Sequence, residues 1–220
     1  PLRHLLPFAL LVVSLNGVAA GQEETFVEPQ AGADYVDPHK LSQLANRNDP
    51  KALNNIGWLW ARGQGGVQQN FKEAMLWWKQ AAKHGYTPAM NNVGLLYAQG
   101  NGVKQDYEEA FKWWMRAAER GDAWAMNAVG DLYENGQGVP RNYELALSWY
   151  KEAAREGDAM GLWNVGHLMD AGLGLDPDPA AALDWYRQAA EKGYAPAMHS
   201  LAPFTLKDGA RRPILWRHTR

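Results

Sequence analysis

YEEAFKWWMRAAERGD, residues Tyr107–Asp122, sets two tryptophans side by side and follows them with two alanines and a glycine. Such a pair could be a ligand platform, a membrane anchor or a packing seam. The rest of the chain decides between these. Trp77-Trp78, Trp113-Trp114, Trp149-Tyr150 and Trp185-Tyr186 recur at a constant step of 36 residues. An alanine lies three residues ahead of each pair, from Ala74 to Ala182, and a double alanine follows each, from Ala81-Ala82 to Ala189-Ala190. A glycine closes every copy: Gly85, Gly121, Gly157 and Gly193. A second series, Gly57, Gly94, Gly130 and Gly166, runs upstream of the pairs. Self-similarity at a period of this size marks a stacked repeat architecture.

Each unit reads as two helices. Around Gly94 the apolar residues Ala89, Met90, Val93, Leu96 and Tyr97 follow a helical rather than an alternating period. This first helix ends at Gly100, Gly136 or Gly172, where a left-handed C-cap favours glycine. The second helix starts at Asn70, Asp106, Asn142 or Asp178, all good N-caps; Glu73 and Glu109 stand as capping-box partners, and Pro179 takes a first helical position. The alanine, the aromatic pair and the double alanine then fall on one face. The aromatics therefore read as architecture. The first of each pair is expected in the core, and the second, Trp or Tyr, is expected to pack with its polar edge at the rim.

On these residues the chain resembles the Sel1-like repeat, a 36-residue relative of the tetratricopeptide repeat. NNVGLLYAQGNGVKQDYEEAFKWWMRAAERGD (Asn91–Asp122) and NAVGDLYENGQGVPRNYELALSWYKEAAREGD (Asn127–Asp158) carry its Gly-x-Leu-Tyr, Gly-x-Gly-Val, Ala-x-x-Trp-Trp/Tyr and Ala-Ala-x-x-Gly-Asp elements. The resemblance covers about Asp49 to Ala202. It implies an all-α, right-handed α/α solenoid of about four helix-turn-helix units, 49–85, 86–121, 122–157 and 158–193, with a partial copy at 194–202. It also implies a protein- or peptide-binding scaffold, often exported from bacteria, and no single activity.

The flanks depart from the repeat. Residues 1–20, with Arg3 ahead of an apolar run from Leu5 to Val13 and small residues up to Ala20, read as a signal peptide cut before Gly21. That reading implies an exported, periplasmic or secreted protein. Residues 21–37 are polar and contain Pro and Gly, so a flexible leader is expected. His39–Asp49 reads as a lone second helix, a half repeat. At the other end Pro203 is expected to interrupt the helix that starts the fifth copy. Residues 203–220 hold five Lys/Arg against one Asp and form a basic tail or a cap.

Composition narrows the functional classes. The absence of cysteine excludes a disulfide framework, a thiol nucleophile and any cysteine-ligated metal. A formal charge of −2 gives no reason to expect nucleic acid. No serine elbow, His-Glu-x-x-His run or phosphate-binding loop occurs, so neither catalysis nor a cofactor or metal is expected. Function is then sought where the copies differ at a fixed position. On the first helix the variable stripe lies six and three before the central glycine and one and five after it. These steps share one face, and the resemblance to tetratricopeptide solenoids turns that face to the groove. It offers Asn54, Asn91 and Asn127, whose amides can hold an extended peptide, and Trp58, Trp124 and Trp163, a residue type enriched at binding hot spots. Asp131 and His167 occupy one repeat position and are expected to be near neighbours. The alternatives are that these tryptophans pack on the next unit, and that the chain is a cell-envelope hydrolase or an empty structural spacer.

Overall fold

A small residue in the middle of each first helix decides how the units close. The computed structural model describes Gln43 and residues 45–207, with side chains as far as Leu201. Nine α-helices are delimited among them: α1 (Pro50–Arg62), α2 (Phe71–Lys83), α3 (Thr87–Gln99), α4 (Tyr107–Ala118), α5 (Ala123–Asn135), α6 (Tyr143–Arg155), α7 (Ala159–Ala171), α8 (Pro179–Glu191) and α9 (Ala195–Lys207). No strand occurs among the described residues. Each helix packs on the one before it and the one after it, giving an α/α solenoid of four pairs plus α9. Gln43, Ala45 and Asn46, ahead of α1, are also helical. The segments read as a signal peptide and a leader, part of the half repeat before α1, and residues 208–220 lie outside the described residues.

The aromatic pair is used in the reverse of the expected order. The second member is buried in every unit: Trp78, Trp114, Tyr150 and Tyr186. The first member, Trp77, Trp113, Trp149 or Trp185, is only half-buried. The reason lies across the unit. A Cβ added at Gly57, Gly94, Gly130 or Gly166 would meet the buried ring of its own unit at 2.6, 2.3, 2.5 or 2.9 Å. Glycine within a helix costs about 1 kcal/mol relative to alanine. Burying a large ring returns roughly 3 kcal/mol or more, so the ring wins. In the two tryptophan units the indole N–H also donates to a carbonyl of the first helix, Trp78 to Asn54 at 3.0 Å and Trp114 to Asn91 at 3.1 Å.

Where the ring is tyrosine, its neighbour changes too. Four residues after the central glycine the tryptophan units carry Ala61 and Ala98, both buried. The tyrosine units carry Glu134 and Asp170 there. The Tyr150 hydroxyl lies 2.7 Å from Glu134 Oε2 and 2.6 Å from Asp131 Oδ1, and Asp170 hydrogen-bonds Tyr186. A buried phenol needs a partner, and a carboxylate supplies one where an indole needs only space.

The loops close as the capping residues predict. The C-caps Gly100, Gly136 and Gly172 are left-handed, with φ of 72°, 68° and 65°. Asn70, Asp106, Asn142 and Asp178 each accept from backbone N–H groups of the second helix they begin. The capping box is only half made. The N–H of each cap residue is already taken by a carbonyl in the last turn of the first helix, Asn70 by Trp60 and Asp106 by Tyr97. Glu109 is thus free to pair with Lys112 at 2.6 Å. At the far end α9 runs through Pro203 to Lys207. The expected interruption does not occur: proline forfeits one intrahelical bond, which weakens a helix without having to end it.

Gly94→Ala is expected to lower unfolding stability by about 3 kcal/mol, because the new Cβ would displace Trp114 and its hydrogen bond. Urea denaturation followed by circular dichroism measures it.

Candidate binding face of the first helices

The stripe expected to meet a ligand divides into a buried part and an open part. Asn54, Asn91 and Asn127 are 1%, 2% and 0% exposed and do not present their amides to a groove. This corrects their assignment as peptide contacts. Three residues before the central glycine, a helical side chain points into the junction with the next unit, and the amides are spent there. Asn92 Nδ2 donates to Asn54 Oδ1 at 3.2 Å, and Asn164 Nδ2 to Asn127 Oδ1 at 3.2 Å. Asn91 Nδ2 donates to Asp122 at 3.0 Å and Asn127 Nδ2 to Asp158 at 2.7 Å. Asp122 and Asp158 cap α5 and α7 through Ala125 and Gly161. Asn91 and Asn127 therefore tie their own helices to the start of the next first helix, while Asn54 meets Asn92 in the middle of α3. The first helices are joined directly, and α5 touches α7 past the intervening α6.

The ladder has one missing rung. The position that holds Asn92 and Asn164 in their units is Ala128 in the third. Asn91 Oδ1, which would accept from it, is buried and unpartnered. In the fourth unit tryptophan takes the asparagine position, and Trp163 Nε1 donates to Ser200 Oγ on α9 at 3.0 Å. Trp163 thus uses its polar edge for the next unit and keeps its ring half-exposed.

That ring is the centre of the open part. His167 lies parallel to it, with centroids 5.4 Å apart and planes at 6°, and Tyr194 stands beside it at 6.1 Å and 54°. Tyr194 sits just before α9, where other units place the capping Asp122 or Asp158. Burial pushes its hydroxyl up to about 12, and the carboxylates of Asp158 and Asp131 push in the same direction. Tyr186 also rises to about 12, first through burial and then through Asp170, and Tyr150 rises well above 10 through burial and the charges of Asp131 and Glu134. Asp131 is half-buried against Tyr150, and His167 against Trp163. Trp124 meets Trp114 edge-on at 5.7 Å, and Trp58 lies under the Arg62 guanidinium at 5.4 Å. Among the described residues no group of three or more His, Asp or Glu side chains could hold a metal ion. No described helix is long and apolar enough to cross a membrane.

Tyr194, Ser200 and Asp158 escaped the sequence reading. The signal for them was present: Gly-Asp at Gly121-Asp122 and Gly157-Asp158 becomes Gly-Tyr at Gly85-Tyr86 and Gly193-Tyr194. Tyr86 accordingly makes no side-chain cap to α3.

Ala128→Asn is expected to raise stability by about 1 kcal/mol by giving Asn91 Oδ1 its donor, with the gain abolished in an Asn91→Ala background. Denaturant midpoints of the four proteins in that cycle measure it. The tyrosines set a second outcome. Their folded-state pKa values lie above the unfolded value of 10, so the unfolded chain loses phenolic protons first. Stability should hold up to pH 10 and fall as pH rises toward 12. Denaturation midpoints across that range, with tyrosinate absorbance read in parallel, check the sign.

The comparisons with known proteins agree with this geometry. The chain matches the Sel1 repeat family at residues 50–86, 87–122, 125–158 and 159–194. No curated protein matches the chain. It is similar to c5321, a protective antigen of uropathogenic Escherichia coli with an SLR fold, at 34% identity and a TM-score of 0.71. It is also similar to a Sel1 repeat protein from Oxalobacter formigenes, at 36% identity and a TM-score of 0.69. These matches cover 76% and 75% of this chain, and 35% and 66% of those proteins. The immunity protein Pa5087 from Pseudomonas aeruginosa shares the fold at 20% identity and a TM-score of 0.53, over 78% of this chain and 64% of that one. Four family matches, each laid on one helix pair, place this chain in the Sel1 repeat family.

Proposed function

We propose that this chain is an exported scaffold that holds a protein or peptide against the inner, first-helix face of its solenoid, with no reaction of its own. Sel1 repeat proteins are commonly protein-interaction scaffolds. The observation that carries the reading here is the half-exposed ring cluster of Trp163, His167 and Tyr194. Rings held by their neighbours lose little freedom when a partner covers them, and aromatic side chains of this kind dominate binding energy at interfaces. Trp163 is fixed by Ser200 and stacked on His167, so its ring is preorganised. Trp124 and Trp58 extend the same face toward the earlier units. Export rests on the leader character of residues 1–20.

The test is cross-linked capture from a cell-envelope extract by the full chain. His167→Ala and Trp163→Ala variants run beside it, after circular dichroism shows that both retain helix. A partner captured by the parent is expected to be reduced by about tenfold or more in both variants. Equal capture by all three proteins would remove the ring cluster from the interface, and no capture by any would favour an empty spacer.

A further inference from the structure

We propose that the segment held on the inner face is cationic: an extended stretch of a partner protein bearing arginine or lysine, one of whose charged heads seats beside Trp163 and Tyr194. This inference rests on the scaffold reading above and names the chemistry of its partner.

The charge of the solenoid is divided by helix type. Every second helix carries Lys or Arg, from Lys72 in α2 to Arg187 in α8. The first helices α3, α5 and α7 carry none. Their ionised residues are Asp131, Glu134 and Asp170, and the capping aspartates Asp122 and Asp158 stand at their N-terminal ends. A face built from these helices repels anionic partners and attracts cationic ones over a distance set by salt. In α1 the pattern stops, since Lys51 and Arg62 both belong to that helix. The acidic part of the face thus begins at Asp122, ahead of α5, and runs toward α9.

Aromatic groups occupy the same part of the face. Trp163 and Tyr194 have centroids 6.1 Å apart with planes at 54°, both rings are half-buried, and His167 stacks on Trp163. Asp158 and Asp131 are close enough for their charges to act on the Tyr194 hydroxyl. Ring faces and carboxylates attract the same ligand class: a guanidinium or ammonium gains cation–π contact from the first and a counter-charge from the second. An anionic segment would face the carboxylates of α5 and α7 and would find basic groups only outside α3, α5 and α7, such as Lys192 beside Gly157. A purely apolar one would find the rings but would desolvate the acids without compensation. The occupant that satisfies both features is a basic segment.

Fluorescence anisotropy with the full chain and a labelled peptide of alternating Arg and Gly tests this, with the Glu–Gly counterpart as control. The double variant Asp131→Asn/Asp158→Asn removes two charges yet keeps an acceptor for Tyr150 and a cap for Gly161, so its fold should persist. Trp163→Leu removes the ring. The Arg peptide is expected to bind, to weaken by about tenfold in each variant, and to weaken further as salt rises; the Glu peptide is expected not to bind. Binding of the Arg peptide unchanged in the double Asn variant, or no binding at all, overturns the proposal. If Trp163→Ala still loses a partner from the envelope extract while the Arg peptide fails to bind, the scaffold reading stands and the cationic class falls.

Discussion

Every unit of this solenoid depends on one contact, a flat ring laid against a glycine. The ring comes from the second helix and the glycine from the middle of the first. Removal of a single Cβ lets the two helices approach until the ring fills the space between them. In the tryptophan units the same approach brings the indole N–H onto a backbone carbonyl of the first helix, so packing and hydrogen bonding select one register. The small alanines around the ring, such as Ala74, Ala81 and Ala82, are fully or almost fully buried for the same reason. Helix propensity is sacrificed at one position, and close packing returns more than it costs.

Between units, polar pairs are added to an apolar core that itself runs from the first unit into the third. Polar side chains cross the junction, and each is buried only because it is answered: Asn92 by Asn54, Asn164 by Asn127, and Asn127 by Asp158. A buried amide without a partner is costly, so these pairs also fix which unit face meets which. Holding the first helices together in this way buries most of α3 but leaves a surface around Trp124, Trp163 and His167 half-exposed. That surface is short of basic residues and carries rings already fixed in place. The binding role proposed for it therefore rests on the architecture that joins the units.

The fold was legible because its determinants recur. Central glycines, ring pairs, N-caps and C-cap glycines appear at one spacing, and four copies average out local ambiguity. Which ring of the pair is buried was not legible, since Trp77 and Trp78 differ by one helical step of about 100° and both fall within a broad apolar stripe. The asparagines misled for a related reason. Variation at a fixed position was read as freedom to meet a ligand. In a stack it also arises where two neighbouring units must match each other, as Trp163 with Ser200 shows. The break at Pro203 was over-read because a proline lowers helix stability without dictating where the helix ends.

Two kinds of match run through this chain, and they differ in what they ask of a change in repeat number. The pairing of Trp with Ala, or of Tyr with a carboxylate, is complete inside one unit, Glu134 and Tyr150 both belonging to the third. Copying or deleting a whole unit carries that match along intact. The asparagine rungs span two units, so any such event creates a junction whose halves were never fitted to each other. Ala128 opposite the unpartnered side-chain Oδ1 of Asn91 has the form of a seam of that kind. A Sel1 array can therefore change length at little cost to the fold of its units, while each new junction must be refitted one polar pair at a time.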